Sequence, residues 1–174
     1  MPSPLGHTMA AVTIGWIVAP PADRSAAIRQ AVVLAAVGVA PDLDLLIDRH
    51  SQETHSVGAA VIAASVAALR RWPVASDRLR IWVAVFAAWL SHPLLDTIAL
   101  DTSPPLGVML FWPFEWTHYQ TGWSIFAPIS RRYWLPNFVP HNLMAVAREI
   151  AILGPLAATA WWMRVGAARR RQYV

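Results

Sequence analysis

Residues 81–100, IWVAVFAAWLSHPLLDTIAL, decide how this chain folds. The run is long enough to cross a bilayer, which takes about 20 apolar residues. Yet it carries His92 and Asp96 near its end. Four residues apart, the two project from one face of a helix. Ionisable groups inside an apolar span are expensive, and they mark a functional site by default. Their spacing suits a pair of metal ligands. It also suits a buried hydrogen-bonded pair that ties two helices together. Pro93 between them disfavours helix at Ser91 and predicts a kink that turns carbonyls toward a cavity.

Four further apolar runs flank this one. Residues 5–19 begin beside His7 and stop at Pro20-Pro21, and residues 25–40 stop at Pro41. Residues 56–69 end at Arg70-Arg71 and Pro73, and a run from about 150 to 163 precedes Arg169-Arg170-Arg171. Proline and clustered arginine are the expected stop signals. Runs in the mid-teens still span when their polar ends lie among headgroups or line a wet cavity. Composition agrees: 14% of residues are charged, against about 25% in soluble domains, and mean hydropathy is +0.42. The expectation is an all-α integral membrane helical bundle of about four to five spans, forming one domain over residues 1–174. No basic region precedes the first run, so no cleavable signal peptide is expected. With no cysteine, disulfides and thiolate ligands are excluded.

All fourteen cations are arginine and lie at the ends of apolar runs. That placement reads as membrane topology and not as a nucleic-acid surface. In an alternating five-run order, Arg24, Arg29, Arg70, Arg71, Arg78, Arg80, Arg164 and Arg169 to Arg171 share one side. Arg49, Arg131, Arg132 and Arg148 share the other. The richer side is expected to be cytoplasmic. His7, Asp42, Asp44 and His55 then fall at the outer ends of their runs. His92 lies about 18 Å of helix beyond Arg80 and joins them. The connection from Asp101 to Arg148 faces the same way. Its many aromatic rings, Trp112, Trp116 and Trp123 among them, favour the headgroup level and an aromatic-rich outer loop on the bilayer surface.

Pro41-Asp42-Leu43-Asp44 alone reads as a turn after a helix. Carboxylates at i,i+2 do not share a helical face, so at most one is expected to ligate directly. We favour Asp44, with Asp42 orienting a ligand histidine. His7 or His50 alone is more often solvated than ligating, and Thr54 is a candidate helix cap before His55. Three histidines and at least two aspartates at one depth suit a divalent ion such as Zn²⁺ or Mn²⁺. Glu115, His118 and His141 lie in the long connection, where nothing fixes their position.

Gly6-His7-Thr8, Pro41-Asp42-Leu43-Asp44, His50-x4-His55-Ser56, Ser91-His92-x3-Asp96 and Gly107-x4-Trp112-Pro113-Phe114 occur in this order. Together they resemble the YdjM-like family of LexA-regulated bacterial inner-membrane proteins, over roughly residues 3–114. The resemblance implies metal-dependent hydrolase chemistry, with His7, Asp44, His55, His92 and Asp96 as metal ligands and Asp42 and His50 close by. That family is in turn similar to zinc-dependent phospholipase C, which uses His-x3-Asp among its ligands. The chain departs from the family pattern at Ser51 and Gln52, where Arg and Gly are usual.

The expected function is membrane-bound, metal-dependent hydrolysis of a phosphoester in a lipid or headgroup. Asp42 or His50 would serve as general base, and the partner would be a membrane lipid or lipid-linked substrate, not a nucleic acid. The rival is a non-catalytic membrane protein whose His/Asp cluster is structural or carries metal. A carrier needs polar residues along its whole path, and the cytoplasmic halves of the runs are mostly Ala, Val, Ile and Trp.

Overall fold

A computed structural model describes residues 1–166 other than Arg71, Pro73, Ser76 and Ser103. Arg71, Pro73 and Arg169 to Arg171, used above as stop signals and cytoplasmic cations, lie outside the described residues. Five α-helices follow in order: α1 (Pro4–Val18), α2 (Arg24–Val39), α3 (Val57–Ala68), α4 (Arg78–Ile98) and α5 (Phe138–Trp161). A 3₁₀ segment, Ala40–Ile47, prolongs α2, and a shorter one, Glu53–His55, precedes α3. No strand forms among the described residues, which fits the all-α expectation.

Three helical stretches are long and apolar enough to cross a membrane: Arg24–Ile47, Arg78–Ile98 and Phe138–Gly166. α1 has 15 residues and α3 has 12. At 1.5 Å per residue they reach about 22 and 18 Å, short of a hydrocarbon core of about 30 Å. Among the described residues, three helices thus have full spanning length, and two shorter ones pack among them. The last helix also begins earlier than expected, at Phe138. Pro140, Asn142, Arg148 and Glu149 dilute its apolar pattern and hid its first half.

Each helix start has a local cause. Ser3, Asp23, Ser56 and Asp77 cap α1 to α4, each accepting from a backbone N–H three residues on. The cap of α3 is thus Ser56 and not Thr54, whose hydroxyl is engaged elsewhere. Pro93 lies inside α4 without ending it, so Ser91 is helical after all.

α1 packs against α2, α4 and α5, and α4 packs against α1, α2 and α3. Small residues permit the close approach: Ala10, Ala11, Ala27, Ala60, Ala64, Ala84 and Ala88 are all buried. A Cβ at Gly38 would strike the Ala11 side chain and the His7 carbonyl, so α2 meets α1 there through glycine. Outward-facing side chains are large and apolar, among them Ile28, Val32, Val66, Leu143 and Leu156, as lipid contact requires.

The two ends of the bundle differ. At one end the Gln30 carboxamide donates to the carbonyls of Ala19 and Val74, at 2.6 and 2.8 Å, joining the turns after α1 and α3. At the other end the connection between α4 and α5 folds back over the helix termini. Leu100 N–H donates to Phe126 O, Met109 N–H to Ser51 O, and Val57 N–H to Leu110 O. Phe126 is buried beneath this layer, whereas Phe114, Trp116, Trp123, Tyr133 and Trp134 are exposed.

Candidate metal centre

The covered end of the bundle collects the start of α1, the 3₁₀ continuation of α2, the approach to α3 and the last turns of α4. They bring His7, Asp42, His50, His55, His92 and Asp96 together. Among the described residues, three overlapping groups could each hold an ion: His7, Asp42 and His92; Asp42, His50 and His55; and His55, His92 and Asp96. His7, His55, His92 and Asp96 are almost wholly buried.

The tautomers can be read from fixed partners. His92 Nδ1 lies 2.7 Å from the Gly38 carbonyl, which only accepts, so Nδ1 carries the hydrogen. Nε2 is then the ring atom turned toward the cluster. His55 Nδ1 faces Asp44 Oδ2 at 3.0 Å, so it too carries a hydrogen, and Nε2 is the ring atom turned toward the cluster. Those two Nε2 atoms face each other at 3.1 Å. That spacing suits either a proton shared between the two rings or a metal ion bound by both.

The carboxylates complete the ring. Asp96 Oδ2 is 3.3 Å from His92 Nε2 and 3.7 Å from His55 Nε2, and its Oδ1 is 3.4 Å from His7 Nε2. Asp42 Oδ1 is 3.5 Å from His92 Nε2 and 3.6 Å from His55 Nε2. Ligands about 2.1 Å from a tetrahedral ion are separated by about 3.4 Å, which these spacings match. Both Asp96 oxygens and His7 Nδ1 are buried without a hydrogen-bond partner. Orphaned polar atoms are costly to bury. The donor set therefore fits a divalent cation.

A model of the YdjM inner membrane protein family matches residues 1–172. The chain belongs to that family. Its three long apolar helices agree with an inner-membrane location. Comparison of this YdjM-family chain with curated proteins and with solved structures finds no match. These comparisons do not show the likeness to zinc-dependent phospholipase C.

The two aspartates of the YdjM-family Pro-Asp-Leu-Asp motif sit differently from the expectation. Asp44 lies behind His55, on its Nδ1 side, where it also accepts from the Thr54 hydroxyl at 2.5 Å. Asp42 faces the Nε2 atoms. The 3₁₀ turn places the two carboxylates on opposite edges of one imidazole, a relation that linear spacing does not reveal. Burial pushes the His55 pKa down, but Asp42 and Asp44 outweigh it and hold the ring above the ordinary histidine value.

His50 stands at the half-exposed rim, its Nδ1 3.2 Å from Asp44 Oδ1 and 3.6 Å from Asp42 Oδ1. His7 stacks on His92 with ring centroids 3.6 Å apart. His118 and His141 do not join the ligating groups among the described residues. His141 instead lies 2.8 Å from the Pro128 carbonyl. Two residues tied to the elements that build the site were missed in the sequence. Gly38 acts through a backbone carbonyl, which no residue type announces. Glu149 is a lone acid in an apolar helix, a signal that was available.

Proposed function

We propose that this YdjM-family protein is a membrane-bound hydrolase that uses a divalent metal, Zn²⁺ before Mn²⁺, to cleave a phosphoester in a lipid or headgroup. One observation supports the reading: three overlapping groups drawn from His7, Asp42, His50, His55, His92 and Asp96 could each hold an ion, and both Asp96 oxygens are buried without a hydrogen-bond partner. Imidazole and carboxylate without thiolate suit Zn²⁺ or Mn²⁺. The metal supplies Lewis acidity, bringing the pKa of a water toward about 7 and polarising a phosphoryl oxygen.

The chain's residues divide the remaining work. His7, His55, His92, Asp42 and Asp96 hold the ion. Asp44 and the Gly38 carbonyl fix the His55 and His92 rings through their Nδ1 hydrogens. With Asp42 facing the centre, the general base falls to His50. Its Nδ1 is paired with Asp44, and its Nε2, turned to Met1 Sδ at 3.0 Å, is the atom that can take a proton. The exposed Trp116 and Trp123 in the connection covering the site suit a substrate whose tail stays in the bilayer. The arginine distribution turns this end toward the outer face of the membrane.

The deciding measurement is metal content of detergent-purified protein, together with hydrolysis of lipid-like and short soluble phosphoesters. Bound divalent metal, lost in His92→Ala/Asp96→Ala, and faster cleavage of lipid-like substrates are expected. Full metal content in the double variant would refute the site. Equal rates on both substrate types would refute the lipid assignment.

A further inference from the structure

We infer that Glu149 is a positioning residue: from α5 it grips Ser3, and through Ser3 it sets the place of His7 at the metal centre. The inference rests on the metal reading above. Glu149 lies midway along α5 and is fully buried. Its Oε1 accepts from Ser3 N–H at 2.6 Å, and its Oε2 accepts from the Ser3 hydroxyl. That hydroxyl in turn accepts from Gly6 N–H at 3.2 Å, and the Ser3 carbonyl accepts from His7 N–H at 3.1 Å. One residue thus spends its backbone donor and its hydroxyl on Glu149 while its carbonyl holds the His7 backbone.

Helix capping alone does not account for the acid. Asp23, Ser56 and Asp77 cap their helices with their own side chains. α1 differs in carrying a candidate ligand in its first turn, where a small rotation would carry the ring away from Asp96. A carboxylate in an apolar helix is expensive, and it is kept where it serves a site. Gly6 supports the assignment, because a Cβ there would run into the Glu149 carboxylate. The Gly6-His7 pair therefore combines space for the clamp with the ligand it positions. α5 supplies no residue to the ligating groups and packs against α1, so Glu149 is its route to the centre.

Co²⁺ titration of the detergent-purified full chain, read by visible absorption, tests this. Glu149→Leu should weaken Co²⁺ binding about tenfold and shift the absorption band. In a cycle with His7→Ala the two losses should fail to add. Glu149→Gln, which still accepts from Ser3 N–H, should restore most of the affinity. Wild-type affinity and spectrum in Glu149→Leu, or losses that add fully with His7→Ala, would overturn the inference. If Glu149→Leu does not fold, Ser3→Ala is read instead, and an unaltered spectrum there would overturn it equally. Absence of Co²⁺ binding in the unsubstituted protein would overturn the metal reading itself, a result separable from failure of the clamp.

Discussion

At the scale of single residues, the centre depends on which edge of each imidazole is engaged. Asp44 holds His55 at Nδ1 and should be needed for alignment more than for charge at the ion. Asp44→Asn is expected to weaken metal binding about 10- to 100-fold, while Asp96→Asn, which removes a facing carboxylate, should abolish it. Equilibrium dialysis with Zn²⁺ separates the two; equal affinities would contradict the assignment. His118→Ala and His141→Ala should bind as the unsubstituted protein does. Proton competition has a defined sign at His55. Its raised pKa means that the folded, metal-free protein keeps this proton to a higher pH than the unfolded chain. The resulting stabilisation is complete below about pH 6.5 and is lost as pH rises through the raised value. Metal replaces that proton, so affinity should climb with pH across the same window. The histidines and aspartates themselves were legible in the sequence, because ionisable residues stand out in apolar runs. The placement of Asp42 and Asp44 on opposite edges of the His55 ring was not, since it depends on where a 3₁₀ turn passes relative to His55.

At the scale of helices, the centre exists because α1, α2 and α4 approach closely at their site-side ends. Gly38 is a tight point at the site side, lying against Ala11 and His7 while its carbonyl orients His92. Gly38→Ala should cost about 1–3 kcal/mol through overpacking and also lower metal affinity. Gly154→Ala in α5, where a Cβ meets only the Ile150 side chain at 3.7 Å, should be neutral or slightly stabilising. Thermal unfolding in detergent checks the pair; a neutral Gly38→Ala would deny that this contact sets the helix spacing. Helix existence was largely legible, because the apolar runs and their Ser and Asp caps are local features. Helix length was less so. α5 extends through polar residues that its packing against α1 tolerates, and α3 ends after 12 residues, too few to span.

At the scale of the molecule, function depends on which face of the membrane the covered end meets. Gln30 and the turns after α1 and α3 mark one end, and the His/Asp centre with its aromatic cover marks the other. Arg24, Arg78 and Arg80 begin α2 and α4 at the Gln30 end, and Arg164 lies just after α5. By the positive-inside tendency that end is expected to be cytoplasmic. Arg49, Arg131, Arg132 and Arg148 lie on the site side, against Arg24, Arg29, Arg70, Arg78, Arg80 and Arg164 toward the other end. The chain has no cysteine, so single cysteines report topology without background. A cysteine replacing Arg78 should resist an impermeant thiol reagent in intact cells and react once the cells are opened. One replacing Gln120, beside the covered centre, should react in intact cells. The reverse pattern would place the centre at the cytoplasmic face, and any lipid substrate would then have to come from the inner leaflet.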